Sequence, residues 1–151
     1  MDDTEDGWAL VVPHEVRWAE CDLYAHMNHA AYLTLCEDLR VRHWLGLGLG
    51  FSPDAPGPVV SRLDVRYLRP LRFRDRVSLR LRVESLRRSS VVHDYAIHRE
   101  GEGGPAFTCR AVLVVTRGGA PCPIPDAARA RMLAEGARDD AASGATPPPA
   151  G

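Results

Sequence analysis

The sequence predicts an α+β domain in which one long helix packs against a curved antiparallel sheet. Three observations carry this. A run from about Asn28 to Leu47 has apolar residues at helical spacing. Four later stretches alternate apolar and polar residues with period two, the mark of antiparallel strands with one wet face. The connection Glu100–Gly104, EGEGG, reads as a hairpin turn. One helix and a series of strands bury their apolar faces most economically when the sheet curves around the helix.

Taken in order, residues 1–7 are acidic and expected to be disordered. Trp8 to Trp18 is rich in β-branched and aromatic residues and predicts a first strand. Pro13 cannot donate to a ladder, so that strand is interrupted or lies at an edge. Glu20 to His29 is a polar loop. Asn28 is a good N-cap type, which places the helix start at Asn28 or His29. Tyr32, Leu35, Cys36, Leu39 and His43 share one helix face, and Leu33, Glu37, Arg40 and Trp44 form an adjacent stripe. Apolar residues on more than one side predict a helix wrapped by other elements.

Phe51 to Pro58 is expected to be loop. The strands that follow carry Leu63, Val65 and Tyr67; Val77, Leu79, Leu81 and Val83; Val91, His93, Tyr95 and Ile97; and Phe107 to Val115 on alternate positions. Asp126 to Gly136 predicts a short helix, with an aspartate at its start and a glycine at its end. The domain is thus expected to span 8–136. Residues 137–151, small and proline-ending, are expected to be a disordered tail.

Composition narrows the function classes. A chain of 151 residues with 45% hydrophobic content suits one domain with a real core. A net charge of -1 gives no signal for nucleic acid or membrane as partner. All 19 basic residues are arginine, so Schiff-base chemistry on lysine is excluded. Cys21, Cys36, Cys109 and Cys122 form no C-x-x-C pair, and reduced thiols are the default. With neither a secretory leader nor a membrane-length apolar run, a cytoplasmic location is expected.

The chemistry concentrates where the predicted strand, polar loop and helix start meet. Asp22 is read either as a turn cap or as a catalytic carboxylate. The backbone amides of Asn28 to Ala30 are orphan donors with the helix dipole behind them, able to polarise a carbonyl oxygen. Glu20 and Glu37 are rival carboxylates, and Glu37 can instead pair with Arg40 or Arg42. His26 and His29 lack a third ligand at a recognisable spacing, so no metal and no cofactor is expected. Cys21 lies between two acids, which disfavours its thiolate and rules it out as nucleophile.

Four stretches together resemble a known family. Arg17-Trp18 is followed by Asp22, His26, Asn28 and Tyr32. Glu37 and Arg40 recur as E-x-x-R on the helix. Tyr67 and Pro70 precede Asp75. Arg87-Arg88-Ser89-Ser90-Val91 opens a strand with a basic pair and serine. In this order and spacing they are similar to the hotdog-fold acyl-CoA thioesterases of the 4-hydroxybenzoyl-CoA thioesterase type, over roughly Glu15 to Met132. Two glycines of the family pattern are replaced, by Ala25 and Arg74. If those positions keep positive φ, they carry its strain.

The resemblance implies a hotdog fold and hydrolysis of an acyl-CoA, or of an acyl group on a carrier protein, to free acid and thiol. It implies Asp22 as nucleophile or general base, the His29 amide as oxyanion donor, and Asn28 as organiser of the loop. It further implies Tyr32, Arg87, Arg88 and Ser90 as substrate contacts, the arginines on coenzyme A phosphates. A homodimer or homotetramer, paired edge to edge with active sites at the interface, is expected. The rival reading is a non-catalytic acyl-CoA-binding module on the same fold. A hydratase is disfavoured, because Asp22 and His26 do not fit the D-x-N-P-x-H dyad.

Overall fold

The computed structural model describes residues 7–142. In chain order it holds β1 (Leu10–Glu15), a 3-10 turn (Trp18–Glu20), α1 (His29–Gly46), β2 (Gly57–Tyr67), β3 (Arg76–Leu86), β4 (Ser90–Arg99), β5 (Phe107–Arg117), β6 (Ala120–Pro121), α2 (Asp126–Ala134) and β7 (Arg138–Asp139). The main strands pair antiparallel in the order β1-β3-β4-β5-β2. The expected α+β architecture, one long helix held by an antiparallel sheet, is the hotdog fold. Pro13 falls on β1, an edge strand, where a missing donor is tolerated.

The core lies between α1 and the sheet. Leu35 and Leu39 on the helix, and Leu79, Leu81, Ile97 and Leu113 on the strands, are buried in one apolar cluster. Each such side chain stabilises the fold by roughly 1.5–3 kcal/mol. The helix is less enclosed than its apolar content suggested. Thr34, Glu37, Asp38 and Arg42 are exposed, and Arg42 Nε pairs with Asp38 at 2.9 Å.

The period-two alternation holds through Val83 on β3. A bulge between Val83 and Ser85 then shifts the register, so Ser85 and Leu86 are both buried. On β4 the expected wet face is not wet at its centre. Asp94 and Ala96 are buried because β4 is the middle strand and Asp94 is roofed by Arg82 and Arg110 from its neighbours. β2 departs the other way. Leu63 and Tyr67 are 41% and 48% exposed, because β2 is an edge strand with, among the described residues, only β5 beside it.

The loop expected up to Pro58 ends earlier, since β2 begins at Gly57. The domain also runs past Gly136. Ala137 is buried, and Arg138–Asp139 pair in parallel with Ser85 and Leu86 of β3. The expected tail therefore does not begin at 137; residues 143–151, like residues 1–6, lie outside the described residues. No described helix is long and apolar enough to cross a membrane.

Candidate active site

The polar loop folds as a tight reversal. Cys21 and Met27 bridge, the Asp22 amide donates to the His26 carbonyl at 2.8 Å, and the Asn28 amide donates to the Glu20 carbonyl at 2.7 Å. The loop is also stitched to the turn before β3: the Met27 amide donates to Leu71, the Arg74 amide to Val16, and the Val16 amide to Asp75. The two replaced glycines fall in these two turns. Ala25 has φ 57° and Arg74 has φ 71°, and they are the only described non-glycine residues with positive φ. The left-handed geometry is thus kept without glycine.

Asp22 is half-buried and does two things at once. Its Oδ1 accepts from the Tyr24 and His26 amides, at 2.9 and 3.3 Å, which caps the turn. Its Oδ2 has no protein donor among the described residues. The ladder places Asp22 two residues beyond the Glu20–Asn28 rung, within about 7 Å of the helix start.

At that start, Asn28 is the cap. Its side-chain oxygen accepts from Ala30 at 2.9 Å, and its carbonyl accepts from Ala31 at 2.9 Å. The His29 amide has no acceptor among the described residues. Of the three amides expected to polarise a carbonyl, His29 is the one left without a partner, while Asn28 and Ala30 are engaged. The Tyr67 hydroxyl donates to the His29 carbonyl at 2.7 Å and pins this peptide from the sheet side.

Glu20 is occupied elsewhere. Its carboxylate is 7% exposed and accepts from the Arg17 amide and guanidinium and pairs with His14 Nε2. Burial alone would raise its pKa, but the Arg17 and His14 contacts outweigh that and hold it below the ordinary carboxylate value. Glu37 is 66% exposed, with Arg40 4.0 Å away, while Arg42 pairs with Asp38 instead. Burial, then the charges of Glu20 and Asp22, push the Cys21 thiol up. Among the described residues no three or more histidine, cysteine or acidic side chains are placed to hold a metal.

Tyr32 is buried rather than open to the site. It stacks on Phe107 at 4.8 Å and meets Tyr67 edge-on at 5.2 Å. Tyr67, half-exposed, is the member of this trio that faces outward. Arg87, Arg88 and Ser90 lie at the turn between β3 and β4, at the far end of the sheet. The ten steps of β3 separate them from the Asp22 loop by roughly 33 Å within one chain.

Two contacts had no sequence signal. Tyr67 was legible as a strand residue and as part of the motif with Pro70 and Asp75, but its bond to His29 spans 38 positions. Asp75 matched a motif, but its pairing with Arg99 at 2.7 Å, which ties the turn to β4, did not.

A helix cradled by an antiparallel sheet, with a carboxylate loop laced to its first turn, defines the hotdog thioesterase class. Comparison with known proteins agrees. Residues 16–132 match the model of the thioesterase-like superfamily. A thioesterase from Thermus thermophilus, solved with coenzyme A and zinc, is 33% identical, with a TM-score of 0.73 over 86% of this chain and 96% of that one. A thioesterase-superfamily protein from Jannaschia sp. CCS1 is 27% identical, with a TM-score of 0.77 over 85% and 83%. A putative thioesterase from Pseudomonas aeruginosa is 30% identical, with a TM-score of 0.74 over 81% and 96%. Among curated proteins no sequence matches. The chain belongs to the thioesterase-like superfamily, and it is a thioester hydrolase.

Proposed function

We propose that the protein hydrolyses an acyl-coenzyme A, or an acyl group on a carrier protein, with Asp22 as the reacting carboxylate. The observation that carries this is the pairing of one free carboxylate oxygen, Asp22 Oδ2, with one free helix-start amide, His29. The thioester oxygen sits against that amide, where one such donor contributes about 3 kcal/mol in the transition state. Asp22 attacks the carbonyl carbon, or takes a proton from the water that does. The tetrahedral intermediate then collapses and expels thiolate. A thiol pKa of about 8.5 makes this a good leaving group, so no strong general acid is needed. Where Asp22 attacks, water hydrolyses the resulting anhydride and restores the carboxylate.

The cofactor grip spans two chains. Among the described residues, no strand pairs with the outer edge of β2. Antiparallel two-fold pairing through that edge sets the Asp22 end of one sheet beside the Arg87–Ser90 end of the other. The partner's β4 is then the third strand from the seam, about 14 Å away, within the length of an extended coenzyme A. The Thermus relative's coenzyme A supports this substrate class.

The test is thiol release from a panel of acyl-CoA thioesters by wild type, Asp22→Asn and Glu37→Gln. Asp22→Asn keeps size and turn cap but removes the charge, and should lower kcat by roughly 10²–10⁴-fold. Glu37→Gln should lose little. Near-normal turnover by Asp22→Asn with a dead Glu37→Gln would move the chemistry to the helix carboxylate. Single turnover in heavy-oxygen water tests the attack directly: label in the Asp22 side chain means that Asp22 attacked and that water opened the anhydride at the aspartyl carbon.

A further inference from the structure

A cavity that the catalytic argument does not use lies between α1 and β2. It holds about 330 Å³ and is lined by Leu33, Glu37 and Arg40 on the helix, Val60 and Leu63 on β2, and Tyr95 on β4. Its placement follows from the Tyr67–His29 bond, which joins the end of β2 to the start of α1. From that point β2 leads back to Leu63 and Val60 while α1 leads forward to Arg40. Residues three and four apart share a helix face, so Ala30, Leu33, Glu37 and Arg40 form one stripe that begins at the free amide.

Along the stripe the walls are first apolar, at Leu33 and Leu63, and then polar. The Arg40 side chain is 13% exposed. Its one carboxylate partner among the described residues is Glu37, 4.0 Å away and itself 66% exposed. Tyr95 is 2% exposed, and its hydroxyl meets His93 Nδ1 at 3.0 Å. Burial pushes the Tyr95 phenol up, and the Arg40 guanidinium beside it opposes that push. A guanidinium has five donors and no acceptor. The Tyr95 hydroxyl takes one of them and Glu37 stands at the limit of ion-pair distance, so the rest of the half-buried fork is left to face the cavity it lines.

We propose that this cavity is the acyl subsite, and that Arg40 with Tyr95 selects acyl groups whose far end carries a second carboxylate. The proposal rests on the thioesterase reading above and names its substrate class. Helical rise puts the Arg40 backbone about 16 Å beyond His29. Long helical side chains lean back toward the N-terminus, so the guanidinium meets chains of roughly six to ten carbons. Glu37 stands at the rim, where water screens it. A methyl-ended chain would enter the same cavity but displace water from the remaining guanidinium donors without replacing its hydrogen bonds, which a site built for hydrogen bonding rejects.

The experiment compares kcat/KM for pairs of CoA thioesters of equal length, one ending in carboxylate and one in methyl. Wild type should favour the carboxylate member by about 10-fold or more. Arg40→Met should bring that ratio to one or below, and Tyr95→Phe should lower it less. A merely structural role for Arg40 would depress both substrates together and leave the ratio where it was. A wild-type ratio at or below one overturns the subsite while leaving the thioesterase reading intact, whatever the variants do. Thiol release from neither series overturns both.

Discussion

Asp22, Ala25 and His93 are single residues whose geometry makes distinct demands. Ala25 sits at φ 57° in the turn that Asp22 caps. Left-handed backbone costs a residue with a Cβ roughly 1–2 kcal/mol. Ala25→Gly removes that cost but widens the unfolded ensemble by about 0.4–1 kcal/mol. The balance predicts stabilisation of up to about 1 kcal/mol, read as a higher Tm. A lower Tm would mean the turn relaxes its strain elsewhere. Arg74 is a less clean site, since its guanidinium lies 5.6 Å over the Phe73 ring and would be lost as well.

His93 carries the pH dependence. Burial, then the charges of His43 and Arg40, hold its pKa well below the ordinary 6.5. The unfolded chain therefore takes a proton that the folded chain refuses. The contribution of His93 to stability is complete above about pH 6.5 and is lost as pH falls below it. Glu20 acts in a lower window. Its folded pKa is depressed, so its contribution is present above its ordinary 4.5 and fades as pH falls through the folded value. Melting curves should show Tm dropping between pH 7 and 5, before the Glu20 window opens. His93→Gln should flatten that drop; an unchanged slope would assign it to another group.

At the scale of the element, α1 is a scaffold whose first turn is, in the proposed mechanism, also a reagent. Its cap holds the first turn in place through Asn28 Oδ1 on Ala30. Asn28→Ala should cost about 1 kcal/mol of stability. It should also lower kcat, because the His29 peptide loses its fixed neighbour. Asn28→Asp separates these effects. It preserves a cap and suits the helix dipole, so Tm should stay near wild type. It also adds a negative charge where an oxyanion forms, so kcat should fall at least about 10-fold. Full activity in Asn28→Asp would show that the helix start does not stabilise the transition state.

For the whole molecule, the edge of β2 decides. Val59, Val60, Leu63 and Tyr67 are exposed along one strand whose outer ladder has no partner among the described residues. Purified protein should therefore sediment as a dimer or tetramer. A strictly monomeric yet active species at micromolar concentration would remove the shared site. Replacing both Arg87 and Arg88 by alanine should raise KM for acyl-CoA and spare short pantetheine thioesters. These lack the phosphates that an arginine fork recognises. Equal losses on both substrates would make the pair structural.

What the sequence determined by itself is what local spacing encodes. Helical and alternating periods fixed α1 and the main strands, because burial on one face imposes them residue by residue. Asn28 announced the helix start, and the motif spacing drew attention to Ala25 and Arg74, both of which hold positive φ. The misreadings came where a neighbour in space, not in sequence, sets the environment. Asp94 is buried because β4 is central, and Leu63 is exposed because β2 is an edge; strand order is invisible to periodicity. Ala137 joins the core because β3 offers it a site beyond the last helix. The tertiary structure alone decided that Asp22 keeps one oxygen without a donor among the described residues, that the Asn28 and Ala30 amides are engaged while that of His29 is not, and that Arg40 lies half-buried against Tyr95. Each depends on hydrogen bonds and packing between distant segments, and such contacts exist only once the sheet has closed around the helix.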